Sequence, residues 1–286
     1  SLKLIKFIYV WIPASAGMTT GLSMPQGILR KMKTKWSDGK PIQYSMRLGD
    51  EEFPLNRKIG QAIQLQHTGN IHCIECHRKI KKSYAQGYCY PCFISLAQTD
   101  TCIIKPHQCH HHMGTCRNNE FAEKNCFIPH LVYLAVSSGA KVGITRAHQK
   151  FTRWADQGAS FATDLAIVPN RKVSGELEVL LSEHIADKTN WCKMLSNDIP
   201  KTDLNLLKAE LKAHIPTEFH EYFVEEPVYE LMYPAEIFPA KISSYNLDKT
   251  PIIEDTLMGI KGQYLVFTDK VINMRKYQGY EIELTF

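Results

Sequence analysis

The chain has 286 residues, 44% of them apolar, with 34 Lys+Arg against 29 Asp+Glu and a formal net charge of +5. This length supports a sizeable core and two or three modules, and no apolar run approaches the roughly 20 residues of a membrane-spanning helix. Charge is uneven, with 17 Lys+Arg against 8 Asp+Glu in residues 1–130 (+9) and 17 against 21 in residues 131–286 (−4), so the basic half reads as a docking surface for a polyanion or for the acidic half of the same chain.

Nine cysteines are an odd number, which disfavours a closed disulfide framework and points to a reducing, cytoplasmic setting. The opening SLKLIKFIYVWIPASAG mimics a secretory signal, with lysines, a short apolar run and the Ala14-Ser15-Ala16 step. That run is short for such a signal, and the phrase VWIPASAGMT resembles translated intergenic repeat DNA of proteobacteria. Residues 1–24 are therefore expected to be a non-native, loosely packed extension, with Met24 as the start. A secreted protein is the weaker alternative. Residues 25–72 form a β-rich segment, because GILRKMKTKW, PIQYSMRLG, EEFPLNRK and GQAIQLQHTGN alternate apolar with polar and break at Gly, Pro and Asp.

Residues 73–129 are a metal-binding Cys/His module. Cys73, Cys76, Cys89 and Cys92 are spaced C-x2-C-x12-C-x2-C, which brings four thiolates to one point in the tetrahedral shell zinc prefers. The loop HRKIKKSYAQGYCY carries Arg78, Lys79, Lys81 and Lys82 together with Tyr84, Tyr88 and Tyr90, the makings of a nucleic-acid contact surface or of a solvated basic face. Cys102, Cys109, Cys116 and Cys126 follow with separations that match no standard knuckle. A second zinc site is the preferred account, because this stretch has little apolar periodicity with which to fold otherwise. His107, His110, His111 or His112 could replace one thiolate, and an iron–sulfur cluster is a further alternative. Cys192 stands alone and is expected in the core.

Residues 130–223 mix strand and helix. HLVYLAVSSGAKVGIT reads as two strands around a Ser138-Gly139 turn, HQKFTRWADQG and SGELEVLLSEHIADK as helices, and KTDLNLLKAELKAHIP as a helix capped by Thr202 or Asp203. In order, HLVYLA, AKVGITR, Arg153 and Glu178 resemble the GIY-YIG nuclease pattern over about a fifth of the chain. In that family two short strands carry the paired motifs, a helix brings an arginine and a later helix a metal-binding glutamate.

The resemblance implies that Tyr133 is the tyrosine of the first motif and Gly143 the glycine of the second, with Thr145 two residues on. It makes Arg153 the arginine and Glu178 the glutamate, with Glu183 in competition. Lys141 stands where the second motif has its own tyrosine. In such a site Tyr133 orients or deprotonates water, Arg153 forks onto phosphate oxygens, Glu178 holds Mg or Mn and Gly143 lets backbone approach substrate. Thr145 and Arg146 add substrate contacts. The element order as a whole is also similar to an uncharacterised bacterial domain-of-unknown-function family.

Residues 228–286 return to strand, with Lys261, Lys270, Arg275 and Lys276 among Tyr264, Phe267, Tyr277 and Tyr280. They read as a half-buried sheet that joins residues 25–72, or as a stacking surface for single strands. The expected class is α+β and multi-module: β-rich ends, a zinc module and a GIY-YIG-like α/β module. The expected partner is DNA or RNA. Two activities stay open, a metal-dependent nuclease and a non-catalytic zinc-stabilised docking protein.

Overall fold

The computed structural model describes residues 24–185, 190–239 and 241–286; the loosely packed N-terminal extension expected over residues 1–24 lies outside them except for Met24. The chain opens with β1 (Gln26–Ser37), β2 (Lys40–Leu48), β3 (Glu51–Pro54), β4 (Ala62–His72) and the short β5 (Lys79–Ile80). Helices α1 (Tyr90–Ser95), α2 (Thr101–Ile104) and α3 (Asn119–Asn125) punctuate the cysteine-rich stretch. Then come β6 (His130–Val136), β7 (Ala140–Arg146), α4 (Lys150–Asp156), β8 (Phe161–Val168), α5 (Arg171–Ser182), α6 (Trp191–Leu195) and α7 (Leu204–His214). The chain closes with β9 (Tyr229–Glu230), β10 (Ser243–Ser244), β11 (Ile252–Thr256), β12 (Gly259–Lys261), β13 (Tyr264–Val266), β14 (Lys270–Asn273) and β15 (Tyr280–Thr285). No helix among the described residues is long and apolar enough to cross a membrane.

The fold is mixed α and β, with three sheets among the described residues. In the largest the order is β11-β4-β15-β1-β2-β3, with β5 beside β4, so the last strand lies between two strands from near the start of the chain. Alternation in β2 explains its placement: Ile42, Tyr44, Met46 and Leu48 are buried and the residues between them are not. A second sheet runs β7-β6-β8-β9 and a third β10-β14-β13-β12. β6 is buried at every position, which accounts for the uninterrupted apolar run HLVYLAV, since a strand covered on both faces needs no polar side. Leu131, Tyr133 and Ala135 point into a core shared with Trp154 of α4, with Leu29 and Met32 of β1 and with Phe267. Val132, Leu134 and Val136 face Leu177 and Leu181 of α5 and Leu204 and Leu211 of α7.

Helix starts follow the expected chemistry. Asn170 Oδ1 accepts from Val173 N at 3.0 Å to cap α5, and Asp203 Oδ1 accepts from Asn205 N and Leu206 N to cap α7. Two placements differ from expectation. Cys192 is only half-buried, and its neighbours Met194 and Leu195 fill the core. Lys261, named among the cations of a possible stacking surface, is fully buried, because β12 is covered at every position and the chain turns tightly at Gly262 (φ 62°) just after it. There it donates to Asn197 Oδ1 at 2.7 Å and Ser160 Oγ at 3.2 Å and lies over the Tyr233 and Phe238 rings.

Candidate functional site

Cys73, Cys76, Cys89 and Cys92 present four sulfurs that all lie within 4.8 Å of one another. Backbone geometry builds each knuckle. His77 takes a positive φ of 59°, and Cys73 N donates to Arg78 O at 2.9 Å, which folds the first pair. In the second, Cys89 Sγ accepts from Cys92 N at 3.5 Å and caps α1, where Pro91 occupies the first turn. The turn between the pairs passes through Gly87 at φ 132°, where a Cβ would stand 2.7 Å from the Ile74 side chain.

The shell fits a single dication. Zinc–sulfur bonds of about 2.3 Å in a tetrahedron put sulfurs about 3.8 Å apart, and Cys76 and Cys89 Sγ are 3.7 Å apart. Ionisation is uneven across the group. The Arg78 backbone N–H lowers the Cys76 thiol to about 6, while burial, followed by the neighbouring thiols, pushes Cys92 up to about 12. A bound cation would relieve that crowding of like charge. On the same hairpin Lys79, Lys81 and Lys82 are exposed, and Lys82 Nζ lies 5.2 Å from the Tyr84 ring centre.

A cleft of about 510 Å³ opens beside β7, an end strand of its sheet. Ile144, Thr145 and Arg146 of β7, Thr152, Arg153 and Asp156 of α4, and Arg171 and Glu178 of α5 line it. Three further walls come from elsewhere: Ile103 and Ile104 of α2, Lys31 of β1, and Arg275 in the turn after β14. Lys31 pairs with Asp156, which leaves four arginines and Glu178 as the remaining charged lining.

Those arginines are held in place. Arg146 Nη1 donates to Asn125 Oδ1 at 2.5 Å, Arg171 Nη2 to Ile103 O at 2.6 Å and Arg275 Nε to Gln86 Oε1 at 2.7 Å. They also repel one another. Burial first, then the Arg153 charge, lowers the Arg275 pKa. Burial lowers that of Arg171 too, with Arg146 and Arg153 adding to the effect and Cys126 and Cys102 opposing it.

Of the residues singled out in the sequence, Thr145, Arg146, Arg153 and Glu178 line this cleft. Tyr133 does not. It is fully buried, one strand in from the edge. Its hydroxyl is 2.6 Å from the Gln157 amide nitrogen when the amide oxygen accepts from Arg153 Nε (3.2 Å) and Nη2 (3.0 Å). Burial raises the phenol's pKa, Arg153 pulls it down and Glu178 pushes it up, so the three groups share one electrostatic neighbourhood.

Gly143 pairs with Tyr133 across the strands, and a Cβ there would come 2.5 Å from the hydroxyl. Its bareness makes room for the tyrosine, not for substrate as the resemblance implied. Lys141 is buried opposite Ala135 and does not line the cleft, and neither does Glu183. Lys31 and Arg171 had no signal in the sequence, because each reaches the site through packing of separate segments; Gln157, at the end of α4, was passed over because nothing local marks it as a partner of Tyr133.

Cys102, Cys109, Cys116 and Cys126 are all half-buried, but no three of them come within 4.8 Å of one another. The second group that does so is Asp100, Cys102 and His110. This segment docks on α5 where Gly175 leaves space, since a Cβ there would lie 2.6 Å from His107 N and from Pro106 Cβ.

A model of the family described as Protein of unknown function (DUF2797) matches residues 60–282. The chain belongs to this family. The DUF2797 match spans both cysteine groups and every cleft residue except Lys31. No curated protein and no solved structure matches the chain.

Proposed function

We propose that this DUF2797 member is a zinc-containing nucleic-acid-binding protein of a reducing compartment, which takes a phosphodiester backbone into the arginine cleft and holds it without cutting it. The observation that carries this reading is the convergence of Arg146, Arg153, Arg171 and Arg275 on one concave surface. Forked guanidinium groups suit phosphate oxygens, and their mutual repulsion favours an anion between them. The exposed lysines of the zinc hairpin extend the basic surface. Tyr133 argues for binding over hydrolysis: a fully buried phenol with a raised pKa is poorly placed to take a proton from water.

Hydrolysis is the second reading, favoured by Arg153 and Glu178 in the same cleft and by the order of two strands, a helix with Arg153 and a later helix with Glu178, which supports the GIY-YIG likeness. Glu178 would then hold Mg or Mn with waters completing the shell.

Fluorescence anisotropy with labelled single-stranded DNA, duplex DNA and RNA tests both readings. Binding is expected to weaken steeply with salt. Replacing Arg153 and Arg275 together by Ala should cost at least about tenfold, the scale of one charge-assisted hydrogen bond. Replacing Lys79, Lys81 and Lys82 by Ala should reduce the salt slope by roughly two to three. No binding at low salt overturns both readings. Strand cleavage with Mg or Mn that Glu178→Ala abolishes selects the second.

A further inference from the structure

Asp100 and Cys102 sit at the start of α2, and His110 lies in the loop that follows it. Asp100 is buried and the other two are half-buried, and one ligand atom from each lies within 4.8 Å of the other two. The three residue types together offer oxygen, sulfur and nitrogen to one point, all of them donors that zinc accepts.

The hydrogen bonds around the imidazole decide which of its nitrogens is free. The Thr115 hydroxyl donates its one hydrogen to His110 O at 3.1 Å. Its oxygen is therefore an acceptor toward His110 Nδ1, 2.8 Å away, and Nδ1 carries the ring proton. In the neutral ring Nε2 is then a bare acceptor. It faces Asp100 Oδ1, a second acceptor, at 3.4 Å.

Two acceptors that face each other need a positive centre between them. A proton on Nε2 would make a charge-assisted hydrogen bond, which closes to about 2.7–2.9 Å. The observed separation is wider and fits a different geometry. Nitrogen and oxygen ligands about 2.0–2.1 Å from zinc in a tetrahedron stand about 3.4 Å apart.

The groups around the trio are placed as an outer shell. Asp100 Oδ2 accepts from Arg117 Nε at 2.8 Å, and Arg117 Nη1 is itself held by Leu96 O at 3.0 Å. One carboxylate oxygen is thus anchored and the other is left for the trio. Thr115 does the same for the imidazole by holding Nδ1. Metal-binding histidines and carboxylates are commonly fixed in this way, through the atom that does not touch the ion.

From this geometry we propose that Asp100 Oδ1, Cys102 Sγ and His110 Nε2 bind one zinc ion, with water in the fourth position. The carboxylate and the thiolate balance the charge of the dication. The ion joins the start of α2 to the loop behind it. α2 also supplies Ile103 and Ile104 to the wall of the arginine cleft, and Ile103 O holds Arg171 Nη2 at 2.6 Å, so the ion steadies one side of that cleft. Cys109, Cys116 and Cys126 stand outside its shell. The site does not depend on what the cleft binds.

The test counts zinc by elemental analysis on the full chain, purified under reducing conditions and dialysed against zinc-free buffer. Two ions per chain are expected, one of them at the four-cysteine group. X-ray absorption at the zinc edge should then show an average of about two to three sulfurs per zinc, from four thiolates at one ion and one at the other. His110→Ala should lose one ion and keep the other, whereas Cys109→Ser and Cys126→Ser should keep both. Thr115→Val should weaken the second ion about ten- to hundredfold, read by competition with a chromophoric chelator. A wild-type chain that holds one zinc surrounded by about four sulfurs, or two zincs that average more than about three sulfurs each, overturns the proposal with no variant required. Loss of the second ion in Cys109→Ser or Cys126→Ser, with both ions kept in His110→Ala, overturns it as well.

Discussion

At the scale of single residues, the pairing of Tyr133 with Gly143 shows how one missing methyl group sets a site. The hydroxyl occupies the space a Cβ would take and from there reaches Gln157, which in turn holds Arg153. Gly143→Ala must move either the buried ring or the strand. It is expected to cost about 1–3 kcal/mol, the usual range for overpacking, with a lower urea midpoint and little change in the denaturant slope.

His130 offers a pH test. Burial pushes its pKa down to about 4, against the Ile128 carbonyl that its ring nitrogen contacts. An unfolded histidine takes up a proton near pH 6.5, so between about pH 6.5 and 4 the unfolded state binds more protons. The stability that depends on neutral His130 is therefore complete above about 6.5 and is lost as pH falls through about 4. At about 1.4 kcal/mol per unit, the loss is at most about 3.5 kcal/mol. Urea titrations at several pH values should show a flatter profile for His130→Gln over this window; identical profiles would remove His130 as the cause.

At the scale of elements, the four-cysteine hairpin and β6 make opposite use of local sequence. The hairpin has almost no buried apolar side chains of its own, so its knuckles are expected to depend on a metal held by the four cysteines. Chelation of a structural zinc removes folding free energy directly. Treatment with a strong chelator is expected to speed proteolysis between β4 and α1 while the β6–β8 sheet keeps its amide protection. Hydrogen exchange that is unchanged in the hairpin after zinc loss would contradict this account. β6 instead carries its instructions in an unbroken apolar run that only a doubly covered strand can bury.

At the scale of the whole molecule, β15 lies between β1 and β4, and Tyr133, Trp154, Leu29 and Phe267 share one core. The strands at the two ends of the described chain are thus one folding unit with the segment that carries the cleft. Deleting residues 280–286 should leave two strands unpaired along their centre and abolish a single cooperative transition, as read by far-ultraviolet circular dichroism. A truncated chain that melts as sharply as the intact one would show the sheet to be separable.

Spacing alone located the four-cysteine group, because thiolate geometry allows few alternatives to C-x2-C pairs. Alternation located β1, β2 and β4, helical spacing located α5, and a cap located α7, each by a local rule. β8 passed unread, since FATDLAIV is buried on nearly every residue and has no alternation to display. The cleft was half legible. Thr145, Arg146, Arg153 and Glu178 sit in a stretch with its own pattern, whereas Lys31, Arg171 and Arg275 arrive from β1, the start of α5 and the turn after β14. Local chemistry acts over a few residues and so leaves its mark in the sequence. A concave charged surface is assembled by chain segments more than 200 residues apart, and only long-range packing decides which side chains meet there, which turn inward like Lys261, and which, like Tyr133, are sealed beneath the site.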